Sequence, residues 1–100
     1  MIKIYGMITC PDCSYLLDQI SGLEDEYEYI EIGEHVLKMK EFLRIRDSKD
    51  NAEIFKDVKE AGGVGIPCFV LEDGRISLDP NVVGLEATPD KVGHNSSHKI

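Results

Sequence analysis

The sequence predicts one α/β domain, a four-stranded mixed sheet with helices on both faces. Three observations predict it. Residues 2–32 read as strand, helix, strand, a βαβ unit with a parallel pair and a right-handed crossover. Two β-rich runs later in the chain meet at Asp73-Gly74, a strong hairpin-turn signal. The whole chain has 100 residues, room for one hydrophobic core and not two.

The elements follow in order. Ile2-Lys3-Ile4-Tyr5 alternates apolar and polar residues and is the first strand. Thr9-Cys10-Pro11 is the entry to a helix, because proline in the first turn loses no needed N–H. Leu16, Leu17, Ile20 and Leu23 give that helix its apolar face, and Gly22 ends it. Tyr27 to Ile32 is the second strand. A helix follows with Val36, Met39, Phe42 and Leu43 on one stripe and Arg44 and Arg46 near its end. Those arginines are read as covering apolar surface and offsetting nearby acids. Asp47 to Asn51 interrupts with turn and capping residues. A second short helix turns Ile54, Phe55, Val58 and Ala61 inward and closes at Gly62-Gly63. Cys68 to Glu72 and Arg75 to Leu78 form the hairpin, with Asp73-Gly74 as a two-residue turn. Asp79 as N-cap and Pro80 open a short last helix holding Val82, Val83 and Leu85. The expected order is β-α-β-α-α-β-β-α, a domain over residues 1–88 with a polar tail over 89–100.

Composition narrows the function. Hydrophobic residues make up 42% of the chain, enough for a globular core. Nineteen acids against 11 bases give a net charge of -8. Nucleic-acid and anionic-membrane partners both require a basic face, so neither is expected. The first residues lack the pattern of a leader peptide, no apolar run is long enough for a membrane span, and a cytoplasmic location is expected. Three cysteines are an odd number and do not suit a disulfide-stapled scaffold. In a reducing compartment they point to catalysis, metal binding or simple burial.

Cys10-Pro11-Asp12-Cys13 carries the chemistry. Disulfide exchange needs one thiolate to attack and a second thiol to resolve the mixed disulfide. Two intervening residues at a helix start place both sulfurs on one side of the first turn. Cys10 stands at the mouth, where free N–H groups and the helix dipole favour its thiolate; Cys13 lies one turn inward. Asp12 opposes part of that stabilisation. The same spacing is also half of a zinc site. No second Cys-x-x-Cys follows, His35 stands alone, and His94 and His98 fall in the tail, so no metal ligand is assigned. The alternatives are a module holding zinc, copper or an iron–sulfur cluster through Cys10, Cys13 and Cys68, or a non-catalytic domain that keeps the fold for a partner. The setting between a first strand and a first helix is that of a redox motif. Gly62-Gly63-Val64-Gly65 is not a phosphate loop, since no Lys-Ser/Thr follows.

Thr9-Cys10-Pro11-Asp12-Cys13, Gly65-Ile66-Pro67 and the following Asp73-Gly74 hairpin resemble the glutaredoxin family of the thioredoxin superfamily over about residues 1–86. The resemblance implies a thioredoxin-like, glutaredoxin-type fold and a thiol–disulfide oxidoreductase. It implies that Cys10 and Cys13 are catalytic and that Thr9, Ile66 and Pro67 bind substrate. Ile66-Pro67 would be a cis peptide beside the cysteines, its backbone pairing with a peptide or glutathione. No cofactor is implied. The partners would be a disulfide-bearing protein or small thiol, and an external reductant: a low-molecular-weight thiol or a flavoprotein reductase.

Three departures from the glutaredoxin pattern stand out. Met7 occupies a place that is often basic. Leu78-Asp79-Pro80 replaces a Gly-Gly that helps hold glutathione. The segment between the second strand and Pro67 has two helical pieces where one is usual. Poor use of glutathione and a divergent, glutaredoxin-related branch are expected. Cys68, directly after the proline, is read as a small buried hydrophobe, with a third redox or metal-binding thiol as the alternative.

Overall fold

In the computed structural model, residues 1–89 are described. The expected polar tail, from residue 90 onward and with His94 and His98, lies outside them. The elements are β1 (Ile2–Gly6), α1 (Pro11–Ile20), β2 (Tyr27–Glu31), α2 (Val36–Arg46), a 3₁₀ turn (Lys49–Asn51), α3 (Ala52–Glu60), β3 (Cys68–Val70), β4 (Ile76–Ser77) and a 3₁₀ helix (Pro80–Val83). The four strands form one sheet in the order β2-β1-β3-β4. β1 and β2 are parallel, from Ile2 opposite Tyr27 to Gly6 opposite Glu31. β3 runs antiparallel to β1, with Tyr5 opposite Cys68, and β4 antiparallel to β3. This is the thioredoxin-like α/β architecture that the sequence predicts. Among the described residues, no helix is long and apolar enough to cross a membrane.

Adjacent residues of β1 separate two cores, because successive strand side chains point to opposite faces. Ile4 packs with Leu16 and Ile20 of α1 and with Phe69, Val83 and Leu85. Tyr5 packs with Ile30, Phe42 of α2, Phe55 of α3 and Cys68. Three rings tie the second face together: Tyr5 and Phe42 lie 6.2 Å apart, and Phe42 meets Phe55 edge-on at 6.4 Å. Such rings contribute beyond their buried area when tilted or edge-on.

Several expectations are corrected. The buried stripe of α2 is Phe42 flanked by Met39 and Ile45. Val36 is 69% exposed and Leu43 is exposed as well. At about 100° per residue, a stripe centred on Phe42 leaves both well to one side. Leu23 lies beyond the end of α1 and is exposed. Ala61 caps α3 from outside the core. The hairpin loop has three residues, Glu72, Asp73 and Gly74. Leu71 N–H donates to the Arg75 carbonyl at 2.8 Å, and Gly74 N–H donates to the Leu71 carbonyl at 2.9 Å. Gly74 takes φ +92°, the left-handed position that a bulged three-residue loop reserves for glycine. The last helix is a single 3₁₀ turn in which Val83 is buried and Val82 is exposed.

Candidate functional site

The β1–α1 junction brings the two cysteines together. Cys10 is the N-cap of α1, in extended backbone, and Pro11 opens the helix. The Cys10 Sγ accepts the Cys13 backbone N–H at 3.4 Å, as a capping side chain does. Folding back over the first turn leaves Cys10 only 3% exposed, against 0% for Cys13. The order of exposure is the expected one, yet the mouth is far narrower than the motif suggests. Both sulfurs belong to the buried cluster that holds Ile66 and Cys68. All three cysteines are free thiols.

The electrostatics of the pair are asymmetric. The Cys10 thiol is lowered to about 7, chiefly because the Cys13 S–H bonds to its sulfur. Burial opposes this, the N–H groups of Cys13 and Asp12 assist it, and the Asp12 charge works against it. Cys13 is pushed strongly upward by the same bond and by burial. One sulfur is therefore the stable thiolate and the other its proton-bearing partner, the division that nucleophile and resolver need. Burial raises the Cys68 thiol to about 12, so that group stays protonated. Among the described residues, no three His, Cys, Asp or Glu side chains converge as a metal-binding set.

The peptide between Ile66 and Pro67 is cis. Ile66 is buried and Pro67 partly exposed, directly ahead of β3. Thr9 is exposed in the turn before Cys10, a turn closed by Cys10 N–H donating to the Met7 carbonyl at 3.0 Å. Asp79 caps the last 3₁₀ helix, its Oδ1 accepting Asn81 N–H at 3.0 Å. The carboxylate thus occupies a backbone donor of that turn. A cavity of about 430 Å³ lies between Ile54, Ile76, Ser77, Leu78, Asp79 and Pro80, with Ala87 at its side, and includes neither cysteine of the pair.

Three residues around the motif escape sequence reading. Gly6 ends β1 beneath Cys13: a Cβ there would sit 2.7 Å from Cys13 Sγ and 3.2 Å from Tyr29 Cε1. Glu31 ends β2, and its carboxylate accepts the N–H of Ile8 at 2.9 Å and of Gly33 at 3.0 Å. Arg46, read as covering apolar surface and offsetting nearby acids, does pair with Asp47 but also pins the segment ahead of Ile66. Its Nε donates to the Val64 carbonyl at 2.7 Å and its Nη2 to the Gly63 carbonyl at 3.3 Å, while Nη1 pairs with Asp47. Only the β1–β2 register could have pointed to Gly6 and Glu31, since these residues stand opposite one another across the strands.

No protein-family model and no solved structure matches the chain. An uncharacterized protein of Haemophilus influenzae is 37% identical over 71 residues, which span 71% of this chain and 79% of that protein. At that identity over most of both chains, this chain belongs to the same family as the uncharacterized H. influenzae protein.

Proposed function

We propose that the chain is a glutaredoxin-related thiol–disulfide oxidoreductase of the cytoplasm, acting on disulfides of proteins or small thiols. The observation that carries this reading is the asymmetry of the pair: a capping Cys10 lowered to about 7 beside a raised, fully buried Cys13. The Cys10 thiolate attacks one sulfur of the substrate disulfide, forming a mixed disulfide and releasing the other sulfur as a thiolate. Cys13 loses its proton and attacks Cys10 Sγ, releasing the second substrate thiolate and leaving a Cys10–Cys13 disulfide. Two electrons pass from the dithiol to the substrate, and an external thiol or flavoprotein reductase returns them. Ile66 offers backbone to the incoming substrate from beside Pro67, and Thr9 lies on the exposed side. Free thiols in an odd number suit a reducing compartment.

Glutathione is a poor fit as the donor. Its carboxylates call for cations and free helix-terminal N–H groups. Met7 supplies no charge, and Asp79 both fills the 3₁₀ cap and repels an anion. The test is reduction of a model disulfide, run in parallel with glutathione and with a thioredoxin reductase. Wild-type turnover is expected with the reductase and only poor support from glutathione, which should bind at least about ten-fold more weakly than to a standard glutaredoxin. Cys13→Ser should trap a mixed disulfide on Cys10, and Cys10→Ser should be inactive. If wild type reduces nothing with either donor, or if adducts form chiefly on Cys13, the reading is wrong.

A further inference from the structure

Glu31 is placed to organise the dithiol without touching it. It ends β2 directly opposite Gly6, the last residue of β1. Three donors converge on its carboxylate: Ile8 N–H and the Tyr29 hydroxyl on Oε1, at 2.9 and 3.2 Å, and Gly33 N–H on Oε2 at 3.0 Å. Ile8 stands two residues ahead of Cys10, inside the turn that Cys10 N–H closes on Met7. Tyr29 carries its ring against the same Gly6 that Cys13 Sγ covers. One side chain thus ties the loop that presents Cys10 to the strand whose aromatic ring lies beside Cys13. A carboxylate accepts only and can take all three donors, whereas an amide turns an NH₂ towards at least one of them.

The charge on Glu31 does not explain its place. Beside a thiolate, an anion raises the thiol's affinity for its proton, which works against catalysis. A carboxylate next to the motif is better explained by what it holds. We infer that Glu31 is a positioning residue for the Cys10–Cys13 pair, fixing the β1–α1 loop so that Cys10 caps α1. The inference takes its purpose from the oxidoreductase reading, but its geometry and its test do not depend on turnover.

The two roles have opposite signs. If Glu31 acts as a charge, removing it lowers the midpoint of Cys10 alkylation. If it acts as an anchor, removing it loosens the cap and moves the midpoint up towards that of a free thiol. The titratable groups that interact with Cys10 are Asp12 and Cys13 on α1 and Tyr29 on β2, with Glu31 acting on Tyr29, so the first three stay in place during the test. The experiment is the pH profile of iodoacetamide alkylation of the reduced full chain, with Cys10 followed by mass spectrometry. Glu31→Ala is expected to shift the midpoint upward, so that the rate near neutral pH falls about threefold. Glu31→Gln keeps one acceptor oxygen and should recover part of that loss. A midpoint in Glu31→Ala at or below wild type overturns the inference. If the alanine variant does not fold, Glu31→Gln decides: above wild type supports the anchor, at or below it does not. Alkylation needs no substrate, so a wild-type protein that reduces no disulfide would end the oxidoreductase reading and leave this comparison intact.

Discussion

Asp12 sits between the two cysteines with a charge that opposes the thiolate it accompanies. The N–H groups of the first turn and the Cys13 thiol outweigh it, and Cys10 settles near 7. Removing only the charge should therefore help. Asp12→Asn is expected to lower the Cys10 midpoint further and speed alkylation below neutral pH; a slower rate there would show that the Asp12 side chain contributes more as a structural partner than as a charge. This much was legible from spacing, because two cysteines, a proline and an acid in one helical turn have few possible arrangements. What spacing missed is the depth of the pair. Gly6 opens the space for Cys13 Sγ from another strand, and a residue that acts by lacking a side chain leaves no periodic trace.

At the scale of elements, the sequence reads best where one strand or helix carries its own signal. β1, α1 and β2 fall where alternation and helical spacing put them, and Asp79 and Pro80 open the last helical turn as expected. Reading fails where a neighbour decides. The α2 helix meets the sheet through a narrow stripe around Phe42, so Val36 and Leu43 stay outside although their spacing is helical. Arg46 at the end of α2 holds two carbonyls of the segment ahead of Ile66, a contact between parts 17 and 18 residues apart. Arg46→Ala removes a charged donor from the Gly63 and Val64 carbonyls. Hydrogen bonds to charged groups are worth about 1.5–3 kcal/mol, with the lower end expected for a partly exposed arginine. The expected result is a modest fall in the urea midpoint and a raised KM for a disulfide substrate, with Cys10 alkylation unchanged. An unchanged KM would separate the arginine from substrate binding.

Over the whole molecule, four thiol and phenol groups share one direction. Cys13, Cys68, Tyr5 and Tyr29 all hold their protons more tightly in the folded chain than their ordinary values of 9.0 for the thiols and 10.0 for the phenols. Burial is the first cause for all but Cys13, whose bond to Cys10 comes first. Above those values the unfolded chain loses protons that the folded chain keeps, so stability falls as pH rises. Cys10 runs the other way, since its folded value is lowered, and adds stability between about 7 and 9. The reduced protein is therefore expected to hold or slightly gain stability up to about pH 9 and to lose it steeply beyond, measured as the urea midpoint across that range. A midpoint that kept rising above pH 9 would mean that these groups are more open to water than their packing shows.

Cys68 is fully buried on β3, the inner strand between β1 and β4. Its sulfur belongs to the cluster of Phe42 and Phe55 and is reached only when that core opens, whereas Cys10, also buried at 3% exposed, is reached by a local opening of the β1–α1 loop. The two thiols therefore keep different clocks: one counts openings of a loop, the other counts openings of the fold. In excess iodoacetamide, Cys10 should be consumed first while Cys68 lags far behind. Mild urea, below the unfolding transition, should speed Cys68 and leave Cys10 nearly unmoved, which gives the protein a built-in gauge of its own opening free energy without any label being added.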